Sequence, residues 1–432
     1  MLVAHTSAAA NFSMKALATV ASLLLSTALL LIGHGMQLTL LPLRASANGL
    51  SDFMIGLSAS CYFLGFIVGC IAVSATIARA GHIRSFAVLT AIMTSAILCA
   101  EMLDGWQFLL VLRFLTGVAI SSLYTVIESW LNSQATTESR GRILSVYTFI
   151  LLLSMALGQV LINVGPVESA TPFTLAAVFL VLAIVPVGMT RRLAPAPLES
   201  TRIRFGLLYR RSRSAFAGAL LSGLVVGSFW SLGAVFARGY SQSQVDISWF
   251  ISAAILGGAL LQYPIGLLSD LIDRRKVMLL LCLGGAMTSV AVALSTGQSW
   301  HLPMVFLFGA MVMPIYAISL ATAADVSQGS EFVEIGTSVL LLNAVGAVSA
   351  PLVLGQLMSV LGAPVLFWSF AVLCLLFMAY IALQLRDARA IPVSEQVPFS
   401  AAASEVAPAS FDLDPRGPEQ VPVEKKPTAP PE

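Results

Sequence analysis

Two ionisable side chains stand deep inside apolar runs of this sequence: His34, flanked by glycines in "LLIGHGMQLTL", and Arg113 in "LLVLRFLTG". A charge at mid-depth of a bilayer costs roughly 2.5 to 3.5 kcal/mol on insertion scales, so such a residue faces a bundle interior and is a functional candidate by default. An arginine there can bind an anion or control a proton. A histidine, with an unperturbed pKa near 6.5, can carry one. The competing readings are structural: a packing arginine bonded to backbone carbonyls, and a satisfied core histidine. Gln37, Gln159, Trp230 and Gln262, with Tyr263, Tyr316 and Asn343, supply the few fixing groups of a mostly apolar small-molecule site. For each of these an interhelical hydrogen bond is the plainer alternative.

Such depths require spanning helices, and the composition demands them too. Of 432 residues 58% are hydrophobic and 10% charged, with mean hydropathy +0.90, where a soluble domain carries about 25% charged residues. Twelve runs reach the roughly 20 apolar residues that a span needs. The first six lie near 16–43, 52–78, 86–102, 105–131, 144–165 and 173–190; the second six lie near 214–238, 247–269, 277–297, 302–325, 334–360 and 364–385. His34 then sits about 13 Å below the outer end of span one and Arg113 about 12 Å below that of span four, at 1.5 Å per residue. The fold class is an all-α membrane protein. It divides into an N-terminus (1–15), a six-helix half (16–190), a basic linker (191–213), a second half (214–385) and a tail (386–432).

Alternating segments hold 20 of the 23 lysines and arginines, which predicts that both termini are cytoplasmic. The expected location is a bacterial inner membrane. The first run is too long for a signal peptide, whose apolar core is roughly 7 to 15 residues. Cys61, Cys70, Cys99, Cys282 and Cys374 lie in apolar runs and read as buried hydrophobes. The tail, rich in Pro, Ala and Glu, predicts disorder.

Six spans, a linker and six more suggest duplication, and the loops after spans two and eight agree. "GLLSDLIDRR" at 266–275 resembles the signature loop of the major facilitator superfamily, GxLaDrxGrr. The earlier copy, "SATIARAGHIR", keeps Arg79, Gly81 and Arg84 but has Ala78 in place of the aspartate. Arg113 followed by Gly117 matches the family's span-four signature. "RAGHIRSF", "ESWLNSQATTESRGRILSVY" and "GGALLQYPIGLLSDLIDRR" are similar to the YcaD-like branch. The resemblance covers about 15–386 and implies two six-helix halves, a central site near mid-depth and alternating access by rocking.

In that architecture each signature loop meets the start of span five or eleven in the opposite half. The first loop offers Arg79, His82 and Arg84, and its expected partners are Asp325, Glu331 and Glu334. The second offers Asp270, Asp273, Arg274 and Arg275 against Arg140 and Arg142, with Glu128 close by. These would latch the cytoplasmic side shut, or serve only as topology determinants.

No GxxxxGK[ST] loop and no HExxH or GxSxG constellation occurs, so the reading is not an enzyme, and neither a cofactor nor nucleic acid is expected. The expectation is a monomeric secondary transporter for a small organic solute, with protons as the coupling ion. An uncoupled facilitator and a non-transporting receptor of the same fold are the alternatives.

Overall fold

The computed structural model describes residues 2–103, 105–135, 139–189, 203–327, 331–385, 392–399 and Phe411, with side chains from Val20 onward. Its twelve spans are Val20–Ala47, Asp52–Ala80, His82–Met102, Trp106–Gln134, Gly141–Val164 and Ala170–Gly188, then Arg213–Arg238, Gln244–Leu271, Arg274–Leu294, His301–Asp325, Glu331–Leu361 and Val365–Gln384. No strand occurs among the described residues. Helix is the local solution because every backbone donor and acceptor in a bilayer must be satisfied within its own segment.

Ser51 and Ser243 begin spans two and eight by accepting from the backbone N–H groups of Met54 and Asp246. Asp273 begins span nine by accepting from Arg275 N–H at 2.9 Å. The prolines of spans ten and eight act differently. Span ten is interrupted at Met313, ahead of Pro314, whereas span eight runs unbroken through Pro264.

Each half is held by glycines that let two helices approach to backbone contact. A Cβ on Gly65 would collide with the Phe114 carbonyl of span four, and one on Gly117 with the Tyr62 carbonyl of span two. The second half repeats both approaches, Gly257 against Phe306 and Gly309 against Ala254. Every partner is displaced by 192 positions (65 to 257, 117 to 309). The internal duplication inferred from the loops is therefore also a duplication of helix joints. Such small-residue contacts join membrane helices because lipid supplies no hydrophobic force between them.

The halves meet at the charge-poor end of the bundle. Gly56 of span two faces the Pro351 carbonyl of span eleven, and Ser60 Oγ donates to the Val348 carbonyl at 2.6 Å. Gln244 Nε2 of span eight donates to the carbonyls of Ile162 and Gly165 after span five, and Ser248 Oγ donates to Asn163 Oδ1 at 3.1 Å. Arg238 Nη1 donates to the Leu43 carbonyl at 3.2 Å. At the arginine-rich end, no ion pair joins the halves among the described residues.

Candidate functional site

Span four carries Arg113 inward, where it is only 2% exposed. Its guanidinium carbon lies 4.5 Å from the centroid of the Tyr62 ring on span two, positioned by the Gly117 contact one turn away. Tyr62 Oη is hydrogen-bonded to His34 Nε2 of span one at 3.2 Å. Three helices thus converge on one buried chain of groups: cation, phenol, imidazole. Gln37, close to His34 on span one, donates to Thr116 Oγ1 at 3.3 Å.

This group is incompletely satisfied. Arg113 Nε and Nη1, His34 Nδ1 and Gln37 Oε1 are buried without a hydrogen-bond partner, and Arg113 has no ion pair among the described residues. Desolvating a cation costs several kcal/mol, and an aromatic face returns about 2 kcal/mol. The difference favours an anion, or a polar group bearing lone pairs, as a further neighbour.

Tyr62 also lines a small cavity of about 30 Å³ between the halves, together with Leu38, Phe63, Val226, Trp230 and Asn343. Span seven reaches this cavity through a π-helical turn, Gly223–Gly227, whose Val226 and Gly227 line it. Such turns recur at functional sites, where the widened helix re-aims its side chains.

The nine expected pathway residues do not all gather here. His34, Gln37 and Arg113 form the cluster, and Trp230 and Asn343 line the cavity. Gln159 instead ties span five to span one, accepting from Thr39 Oγ1 at 2.5 Å and donating to the Gly35 carbonyl at 2.8 Å. Gln262 and Tyr316 are buried in the second half. Tyr263 corrects the sequence reading: it is 62% exposed and shares a stripe with Leu256, Leu260, Leu267 and Leu271, all exposed. Helical periodicity puts that stripe on the outer, lipid-facing side of span eight. Tyr62 was missed, since a tyrosine in an apolar run looks like any core aromatic.

The expected gate residues pair differently from the inter-half scheme. Glu331 binds Arg211 at 3.2 Å and Glu334 binds Arg204 at 3.0 Å, both linker arginines. The linker helix Phe205–Arg211 packs beside span eleven and so reaches these acids first. Asp325 and Asp270 flank Arg274 at 2.8 and 3.3 Å, and Asp273 binds Arg275 at 2.8 Å. Burial favours the neutral acid at Asp273, but hydrogen bonds from the Arg275 side chain and backbone outweigh it and hold the carboxyl below its ordinary value. His82 turns into its own half, hydrogen-bonded to Ser129 Oγ at 2.7 Å and edge-on to Trp130. Glu128 accepts from Tyr147 Oη at 3.0 Å. Arg79, Arg84 and Arg142 form no ion pair among the described residues, and the Arg140 side chain lies outside them.

Most of the tail also lies outside the described residues. The described parts pack, where the composition predicts disorder. Val397 N–H donates to Asp325 Oδ1 at 3.0 Å, Arg274 Nη2 donates to the Val397 carbonyl, and Phe399 N–H donates to Asp270 at 3.0 Å. Phe411 is 1% exposed and meets the Phe332 ring edge-on.

A duplicated twelve-helix bundle with a central polar cluster and a cavity between its halves has the form of a multi-pass membrane transporter. The chain belongs to the Major Facilitator Superfamily, whose family model matches residues 23–236 and 215–411. It is 28% identical to the uncharacterized MFS-type transporter YcaD of Escherichia coli O17:K52:H18 over 373 residues, covering 86% of this chain and 96% of that protein. The Escherichia fergusonii YcaD is 26% identical over 370 residues, covering 85% and 95%. Among solved structures, the nucleoside transporter NupG aligns with a TM-score of 0.73 at 12% identity, over 84% of this chain and 98% of that one. A bacterial homolog of the human lysosomal transporter Spinster, in an inward-facing and occupied conformation, aligns at 0.70 with 14% identity, over 88% and 98%. At these identities the structural likeness concerns the fold.

Proposed function

We propose that the protein is a secondary transporter that moves a small organic solute, neutral or anionic, by alternating access, with protons as the coupling ion. The observation that carries this reading is Arg113, a buried cation with two unpartnered nitrogens and no ion pair among the described residues, stacked on a tyrosine that lines the cavity between the halves. An anionic group docked on Arg113 would complete its hydrogen bonds, and charge-assisted bonds of this kind are the strong ones. Tyr62, hydrogen-bonded to His34 Nε2, would pass that event to the imidazole, the candidate proton carrier. The location of 20 of the 23 basic residues supports placing the arginine-rich end in the cytoplasm. We take this conformation, with the halves in contact at the other end and no ion pair joining them at this one among the described residues, as the one open to the cytoplasm.

The test is a ligand-stability screen of organic acids and neutral solutes on the purified protein, followed by flux in proteoliposomes with and without a pH gradient. A stabilising acid whose flux follows the gradient, and is lost in Arg113→Ala, supports the reading. Flux indifferent to pH removes the proton, and unaltered flux in Arg113→Ala removes the anion anchor.

A further inference from the structure

We propose that the described tail residues form a wedge in cis: Phe399 and Phe411 cover the faces of spans eight and eleven that must meet the first half when the arginine-rich end closes. The proposal rests on the alternating-access reading above. It starts from where the halves touch now. Span eight uses Gln244 and Ser248 against the end of span five. Gly266 lies 18 residues beyond Ser248, which is five turns at 3.6 residues per turn, and so faces the same way at the opposite end of the helix.

The Phe399 ring lies on that glycine, so closely that a Cβ on Gly266 would enter it. Span eleven repeats the arrangement. It uses Pro351 and Gly355 against span two, and Gly336, about a sixth of a turn from Pro351 in helical phase, carries the Phe411 ring in the same manner. Both aromatic rings therefore stand on glycine-smoothed surfaces of the helices that contact the first half. Rocking the halves together at this end would bring spans five and two onto surfaces already occupied.

Backbone hydrogen bonds hold the wedge. Asp325 accepts from Val397, Asp270 accepts from Phe399, and Arg274, buried between the two acids, donates to the Val397 carbonyl. Asp270 is the acid of the second signature loop. In this conformation it binds the tail as well as Arg274, so the loop that would latch the closed state is engaged by the segment that opposes closure. Displacing the tail leaves Asp270 with Arg274 alone and uncovers both faces together, which makes tail release and gate closure one event.

The experiment uses the full-length chain in lipid nanodiscs, its five cysteines replaced, with spin labels at Ser145→Cys and Lys276→Cys, exposed positions near the arginine-rich end of each half. Pulsed electron resonance reads the two distance populations. The full chain is expected to be mostly in the long population. Truncation after residue 391 is expected to raise the short fraction about threefold, Phe399→Ser with Phe411→Ser is expected to give part of that, and an added 392–411 peptide is expected to reverse the truncation. If truncation and the double variant both leave the distribution unchanged, the wedge is overturned. Should the truncated chain prove polydisperse, the double variant alone decides. A chain that shows the shift but no flux keeps the wedge and loses the transport reading; flux without the shift does the reverse.

Discussion

At position 113 the first half carries an arginine; at the matching place in the second half, 192 residues on, stands Val305. Tyr62, which stacks on that arginine, corresponds to Ala254. At the loops the inequality reverses, with Ala78 in the first half where the second has Asp270, and His82 where the second has Arg274. Yet the glycine joints Gly65 with Gly117 and Gly257 with Gly309 are the same. The two kinds of position answer to different physics. A backbone carbonyl pressed against a glycine leaves no room for a Cβ in either copy. A charge proposed to bind a solute would be needed only once, because residues of both halves line the same cavity.

Seven substitutions, in four groups, press on this comparison. The largest effect is expected from the charge. Once a stabilising acid is found, Arg113→Leu should weaken its binding roughly a hundredfold, about 2.7 kcal/mol, measured by calorimetry. Trp230→Phe, on the opposite cavity wall, should cost tenfold or less. Equal losses would remove the asymmetry between the halves.

The joints come next. Gly117→Ala and Gly309→Ala should each lower the thermal midpoint in detergent by similar amounts, on the order of 2 kcal/mol of overpacking. A variant that melts like the parent would show that its joint yields. At the loops the effects shrink. Asp270→Ala should cost about 1 kcal/mol, since it leaves buried Arg274 with one acid fewer, whereas Ala78→Asp should move the midpoint by less than about 1 kcal/mol.

The smallest effect concerns Asp273. Its carboxyl is held below the ordinary value, so its contribution is present at neutral pH and lost as pH falls through the folded-state value. Asp273→Asn keeps a competent helix cap and should lower the midpoint by about 0.5 kcal/mol at pH 7. That gap should close below about pH 3.9, the ordinary carboxylate value. A gap that persists in acid would assign the loss to the cap rather than the charge.

The spans were legible because runs of twenty apolar residues have few other readings. His34 and Arg113 were legible because charge in such a run stands out. Tyr62 was hidden because its aromatic ring satisfies the apolar pattern while its hydroxyl does the polar work. The latch partners belong to the state with the arginine-rich end shut, and the linker's part was hidden for a different reason. In this conformation Arg204 and Arg211 of the linker hold Glu334 and Glu331, and a nearer cation takes the acid. The tail was read from average composition, which speaks to folding alone. Its only two aromatics, Phe399 and Phe411, are what dock, and docking needs just a few such residues once a surface is already built.

The contacts at the charge-poor end join glycine to backbone and amide, hydroxyl or the Arg238 guanidinium to carbonyl, with no ion pair among them. Those at the other end are held by arginines and carboxylates. Dissolved salt screens the partly exposed Arg204–Glu334 and Arg211–Glu331 pairs of the second kind more than the buried Arg274 pair or the first kind, the screening length falling from about 10 Å at 0.1 M to about 3 Å at 1 M. The two mouths of this protein therefore differ in their sensitivity to ionic strength, and salt concentration becomes a handle that acts on one of them at a time.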